Sequence, residues 1–339
     1  MSPEESGGPP AAGEADRDAA VSLRGLRKRY GNLDAVAGID LDVQPGETFG
    51  FLGPNGAGKS TTIKILCTIV QPTGGTAIVA GHDVQRERDA VRRSIGLVFQ
   101  ETTLDDYLTA AQNLRFHADL YGVPKRDALT RAQGLLEMVG LADRRDSKVG
   151  TFSGGMKRRL EIARGLLHSP RVLFLDEPTV GLDPVSRATV WRYVDELRRA
   201  EGITVFLTTH YLDEAERCDR IAIIAQGRIV ALDTPDALKA AVGADRVRLT
   251  ATDPAAALAA LRTRFEVEAT TGADGSLTFH VVDGERFLPR LLMELGVPIT
   301  SVSVTRPTLD DVFFARTGST ISDADAGGPT VPAWVRGRR

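Results

Sequence analysis

Three short stretches carry the residue types that phosphate chemistry needs. The first is Gly53-Pro54-Asn55-Gly56-Ala57-Gly58-Lys59-Ser60-Thr61, which fits GxxxxGK[ST]. Glycines let the main chain turn its N–H groups inward, making a nest for phosphate oxygens at a helix start. Lys59 adds a point charge for the outer phosphates, and the Ser60 hydroxyl can ligate Mg²⁺. A strand-like run, 48–52, precedes the loop, and helical spacing through Ile63, Leu66 and Cys67 follows it. In that context the pattern points to a bound nucleoside triphosphate.

The second stretch, Val172-Leu173-Phe174-Leu175-Asp176-Glu177, is an apolar strand ending in two acids. Such a strand end is costly to bury unless a cation or a reaction uses the carboxylates. Asp176 would support Mg²⁺, and Glu177, pointing the other way, can polarise an attacking water. The third, Phe152-Ser153-Gly154-Gly155-Met156, runs into Lys157-Arg158-Arg159. Ser153 before two glycines is on its own a helix cap. Upstream of the acidic strand end it reads as a second phosphate-seeking helix start.

In this order the stretches resemble the ATP-binding cassette (ABC) transporter ATPases over about 22–242. Gly53 to Thr61 is similar to the Walker A loop, and Ser153, Gly154 and Gly155 to the signature loop. Residues 172–177 are similar to Walker B with its catalytic glutamate, and Gly181-Leu182-Asp183 to the D-loop. His210 matches the switch histidine, Gln100 the Q-loop glutamine, and Tyr30 sits where an aromatic stacks on adenine. The resemblance implies that Tyr30, Gly53, Pro54, Asn55, Gly56, Ala57, Gly58, Lys59, Ser60 and Thr61, with the 153–155 loop, hold ATP. It implies Ser60, Gln100 and Asp176 at Mg²⁺, and Glu177, Lys59, His210 and Gln100 in catalysis.

The stretch 152–159 and Leu309-Asp310-Asp311-Val312-Phe313-Phe314 look like the daunorubicin-resistance type of exporter ATPase, which extends the resemblance to about 318. Phe152 and Met156 depart from the commoner LSGGQ. The resemblance implies a head-to-tail homodimer, each 153–155 loop facing the partner's γ-phosphate, and a separate membrane permease docked on a helical insert. It places the chain in the cytoplasm, peripheral on the inner face of the membrane. An importer subunit and a soluble ABC-type switch share the engine. Met156 and the C-terminal domain favour export.

The elements that must position these residues follow from periodicity. Residues 35–43 and 48–52 read as strand, turn and strand, and 95–99, 172–175, 203–207 and 221–225 as short strands buried on both faces. Val185, Ala188, Trp191, Val194 and Leu197 repeat at helical spacing. From about 101 to 168 the pattern is helical, an insert within an α/β domain spanning 21–243. Residues 245–318 read as β-α-β-β-α-β, a ferredoxin-like order, with strands at 265–269 and 276–282 around the turn 272–275. A last helix from Leu309 carries an apolar latch, 309–314, expected to hold this domain beside the cassette. Residues 1–20 and 319–339 read as flexible tails.

The chain has 339 residues and a formal charge of −3, with 42% hydrophobic residues. That balance argues against a protein held to nucleic acid by bulk charge. Cys67 and Cys218 form no CxxC pair, which leaves no disulfide framework or zinc ribbon. No apolar run approaches the ~18–20 residues of a membrane span, and no basic-then-apolar leader opens the chain.

Overall fold

The computed structural model describes residues 18–272, 275–318 and 321, so most of both expected tails and part of the 272–275 turn lie outside the described residues. Ala19 and Ala20 are buried, and the Ala20 N–H donates to the Val43 carbonyl at 2.9 Å.

Contacts divide the chain into two units after Leu232. The first opens with β1 (Val21–Tyr30), β2 (Leu33–Val43), β3 (Thr48–Leu52), α1 (Lys59–Leu66), β4 (Gly74–Val79) and β5 (His82–Asp83). Next come α2 (Arg88–Ser94), β6 (Ile95–Val98), α3 (Ala110–Leu120), α4 (Lys125–Met138) and α5 (Gly154–Leu166). It continues with β7 (Val172–Asp176), α6 (Pro184–Glu201), β8 (Thr204–Thr209), α7 (Leu212–Ala215), β9 (Arg220–Ala225) and β10 (Arg228–Asp233). The expected helical insert is thus the α3–α5 region.

Strands β3, β7 and β8 are buried along their whole length. They lie at the centre of a six-stranded sheet ordered β10-β9-β3-β8-β7-β6, where the β6–β7, β7–β8, β8–β3 and β3–β9 pairs are parallel. The Phe206 ring packs on Phe49, Phe51 and Phe174 at centroid distances of 5.4, 5.8 and 5.4 Å, tying three strands into one aromatic core. Register aligns the strand ends: Leu52 pairs with Thr209, and Asp176 with Thr208. Loops leaving the carboxyl ends of adjacent parallel strands converge there, the usual place for a ligand in an open α/β sheet. An antiparallel sheet, β2-β1-β4-β5, completes the unit.

The second unit contains α8 (Pro235–Val242), β11 (Asp245–Ala251), α9 (Pro254–Arg264), β12 (Thr270–Thr271), β13 (Leu277–Val281), α10 (Gly284–Glu294), β14 (Ile299–Thr305) and α11 (Leu309–Thr317). Its antiparallel sheet, β12-β13-β11-β14, has the β-α-β-β-α-β connectivity. The strand expected at 265–269 is absent, and β12 is only Thr270–Thr271. Val267 instead donates back to the Leu261 carbonyl, and Glu266 takes a φ of +56°, so these residues finish α9. The division also falls before 243–245. Helix α8 packs against α11, whose Leu309, Val312 and Phe313 are buried, and both helices fall in the second unit.

Candidate active site

The 53–61 loop runs from the end of β3 into α1. Two of its glycines are forced by the backbone. A Cβ at Gly53 would run into the Ile224 carbonyl oxygen, and one at Gly58 into that of Ala35, with Gly58 also at φ +110°. Both close approaches press the loop down on neighbouring strands, and Gly58 turns the chain into α1. The Lys59 side chain folds back over the loop, donating to the carbonyls of Gly53 (2.6 Å) and Pro54 (3.1 Å).

Strand β7 delivers the two carboxylates. Asp176 Oδ1 accepts from Ser60 Oγ at 3.2 Å and from Thr208 Oγ1 at 2.6 Å. Glu177 follows in a left-handed conformation, φ +48°, uncommon for a residue with a side chain. Its N–H donates to both the carbonyl and the hydroxyl oxygen of Thr208, each at 3.1 Å. Such backbone strain persists only where surrounding contacts over-determine it. Here they do: Glu177 Oε1 lies 3.4 Å from Lys59 Nζ and 3.4 Å from His210 Nδ1, and Gln100 Nε2 donates to Oε2 at 3.2 Å.

One buried carboxylate therefore gathers Lys59, Gln100 and His210 from α1, the end of β6 and the end of β8. A cleft of about 500 Å³ opens beside them, lined by Tyr30, Pro54, Asn55, Gly56, Gly58, Lys59, Ser60, Thr61, Gln100 and Glu177. Gly53 and Ala57 belong to the loop but not to that lining. Tyr30 is 45% exposed, with Lys28 Nζ 4.9 Å from its ring centroid. The cleft suits a nucleotide, with an aromatic face at one end and main-chain N–H groups and a lysine at the other.

Ser153, Gly154 and Gly155 do not line this cleft. Ser153 caps α5, its Oγ accepting from Met156 N–H at 3.3 Å, and Ser153 and Gly154 are exposed. Gly155 is packed so closely on Ser186 of α6 that a Cβ would stand 3.1 Å from its hydroxyl. The 153–155 loop is therefore packed on α6 at Gly155, with Ser153 and Gly154 left exposed outside the cleft.

Thr208 was not singled out from the sequence, although it holds Asp176 and caps the Glu177 N–H. Its signal was present in Thr208-Thr209-His210, since a hydroxyl at a strand end beside an acid is a ready hydrogen-bond donor. Leu33, Asp34, Ala35, Gln226 and Gly227 also line the cleft without having been anticipated.

Comparison with known proteins identifies the family. The family model for ABC transporters matches residues 36–180, and that for the C-terminal domain of DrrA1-3-like ATP-binding proteins matches 234–317. The chain is 42% identical over 320 residues to the daunorubicin resistance ATP-binding protein DrrA2 of Streptomyces coeruleorubidus, covering 91% of this chain and 98% of that protein. To the daunorubicin/doxorubicin resistance ATP-binding protein DrrA of Streptomyces peucetius it is 43% identical (90% and 94% covered). To the Nod factor export ATP-binding protein I of Burkholderia orbicola it is 39% identical (90% and 99% covered). Among solved structures, CbiO1 of Clostridium perfringens, part of the transporter complex cbiONQ, is similar at TM-score 0.62 and 30% identity, over 66% of this chain and 91% of that one. The ATP-binding cassette MJ0796, a dimer in a post-hydrolysis state with ADP and Pi, is similar at TM-score 0.56 and 28% identity, over 63% of this chain and 98% of that one. The chain thus belongs to the ATP-hydrolysing, ATP-binding subunits of ABC transporters, with a C-terminal domain of the DrrA type.

Proposed function

We propose that this chain powers export of a drug, antibiotic or other amphiphile through a separate integral-membrane permease, as a head-to-tail homodimer on the cytoplasmic face of the membrane. The carrying observation is the meeting of Lys59, Gln100 and His210 on Glu177. That arrangement suits a general base for water at a γ-phosphate. Glu177 takes the water's proton as the new P–O bond forms and the β,γ-bridging P–O bond breaks. Lys59 holds the phosphate charge, and His210 and Gln100 orient the carboxylate. Relatives named for drug resistance and Nod factor export support the outward direction. Among the described residues no helix is long and apolar enough to cross a membrane, and the reading assigns the path to the permease.

The residues fit Mg²⁺. Ser60 and Asp176 bring hard oxygen donors within 3.2 Å of each other, and Gln100 lines the same cleft. Mg²⁺ takes one or two protein oxygens and leaves the rest to water and phosphate. When bound, it neutralises charge on the β- and γ-phosphates.

Replacing Glu177 by Gln tests the reading. ATP binding should persist, hydrolysis should slow by ~10²–10⁴, and an ATP-dependent dimer should accumulate on gel filtration. Hydrolysis at the wild-type rate would refute the assigned base. Export is tested with the permease in vesicles, where Lys59→Ala should abolish ATP-driven substrate movement.

A further inference from the structure

The helix that begins at the 153–155 loop bears on the backbone around the site through a buried arginine. Arg158 is 6% exposed. Its guanidinium donates to three main-chain carbonyls, those of Phe99, Asp176 (3.2 Å) and Pro178. Phe99 immediately precedes Gln100, while Asp176 and Pro178 stand on either side of Glu177. Burial works against the guanidinium charge, and the Glu161 carboxylate, 3.2 Å away and itself 0% exposed, works for it. Glu161 also accepts from the Thr103 N–H at 2.7 Å, and Arg164 donates to the Thr103 carbonyl at 2.9 Å. Positions 158, 161 and 164 share one helix face. That face grips the Gln100 loop at both ends and the Glu177 turn on both sides.

Arginine suits this task because its planar fork offers five N–H donors in fixed directions, whereas lysine has three on a flexible stem. A side chain serving packing alone would have no need to collect carbonyls from the ends of two different strands. The Phe99 and Asp176 carbonyls belong to the peptide units that lead into Gln100 and Glu177, and the Pro178 carbonyl lies one unit beyond the Glu177–Pro178 link. Arg158 itself does not line the cleft.

We propose that Arg158 is a positioning residue of ATP hydrolysis, fixing Glu177 and Gln100 relative to each other from the helix that carries the 153–155 loop. The proposal rests on the reading of Glu177 as the base that activates water. With Arg158 replaced, the two strand ends part slightly while the phosphate nest stays as it was. The expected signature is a loss in kcat at unchanged nucleotide affinity.

The test uses the full chain with two variants. Arg158→Lys keeps the charge opposite Glu161 but loses the fork. Arg158→Met alone would strand a buried carboxylate and endanger folding. The second variant is therefore R158M/E161Q, whose side-chain amide oxygen at position 161 can still accept from the Thr103 N–H. Each should bind a fluorescent ATP analogue with Kd within about twofold of wild type, while kcat falls ~10–100-fold, the usual cost of a small misplacement. Introduced into Glu177→Gln, the same changes should add no further loss, because the group they position is already disabled. Wild-type kcat in both variants overturns the proposal. So does an equal loss with and without Glu177→Gln, or a loss of affinity matching the loss of rate. If Glu177→Gln itself hydrolyses at the wild-type rate, the reading of the base falls and the proposal with it. An inactive Glu177→Gln beside fully active Arg158 variants sinks this proposal alone.

Discussion

Lys59 Nζ stands 3.4 Å from Glu177 Oε1, with the two side chains only 4% and 6% exposed. The positive charge suited to phosphate and the negative charge suited to water activation thus neutralise one another inside the protein. In the proposed reaction the phosphates take Lys59, and Glu177 loses its closest cation as the substrate to be cleaved arrives. Binding and readiness for hydrolysis become linked through one ion pair.

That pair makes a measurable coupling. Lys59→Ala should abolish ATP binding and also lower the melting temperature, because a buried carboxylate left without its cation is costly. In the double variant Lys59→Ala/Glu177→Gln the stability loss should shrink by about 0.5–3 kcal/mol, the usual interaction energy of contacting residues. Thermal unfolding of the four chains reads it. Strict additivity would mean the pair contributes nothing to the fold.

Ser153 and Gly154 are exposed and do not line their own chain's cleft, which suits action across a dimer seam. Mixing Lys59→Ala chains with Ser153→Arg chains creates heterodimers with one doubly damaged site and one intact site. Partial recovery of ATPase activity is expected. Two inactive variants that stay inactive, in heterodimers verified by differential tags, would argue against action in trans.

Two loop glycines should differ in their tolerance of a methyl group. At Gly53 an added Cβ meets the Ile224 carbonyl, whereas at Gly56 nothing lies within 4 Å and the obstacle is a φ of +77°. Gly53→Ala should destabilise by ~1–3 kcal/mol through forced backbone movement, and Gly56→Ala by about 1 kcal/mol. Chemical denaturation ranks them, and the reverse order would show that the loop yields at Gly53.

Acid should weaken the fold through the helical region. Burial, then the Arg164 charge and then His168 lower the His117 pKa from 6.5 to about 3. Burial also lowers that of His168, whose Nε2 lies 2.8 Å from the Ile95 carbonyl oxygen. Both imidazoles are thus held neutral in the fold while the unfolded chain protonates them below about pH 6.5. For His117 the stability is complete above pH 6.5 and drains away as pH falls toward 3, and the lowered value of His168 acts in the same direction. The slope is at most about 1.4 kcal/mol per pH unit for each ring, and less for rings partly open to solvent. His117→Gln should flatten the decline in melting temperature between pH 7 and 5. An unchanged slope would exonerate this ring.

What the sequence made legible was local. The 53–61 loop, the cap at Ser153 and the paired acids at 176 and 177 are contiguous patterns whose chemistry follows from residue type and neighbouring periodicity. Contacts between distant segments were not legible. Nothing near Arg158 in the chain announces that it will gather carbonyls at 99, 176 and 178. Thr208 gains its role only because register sets it opposite Asp176. The start of the second unit was misplaced for a similar reason: α8 looks like the tail of the first domain until its partner α11, far along the chain, is seen beside it. At 265–269 Phe265 and Val267 suit a strand, but the end of α9 holds them, with the Val267 N–H turned back to the Leu261 carbonyl.

Cys67 and Cys218 are both buried, and burial pushes both thiols up from their ordinary range, with Asp176 adding to the effect at Cys67. Since the thiolate is the reacting form, a maleimide should find no receptive native sulfur while the chain is folded. The wild-type sequence is therefore already a silent background for site-specific labelling. A single cysteine placed at exposed Val282 or Val185, 88% and 75% accessible, could carry a spin label or dye without removing either native thiol. Slow uptake of reagent by the native pair would then act as a clock for opening of the interior.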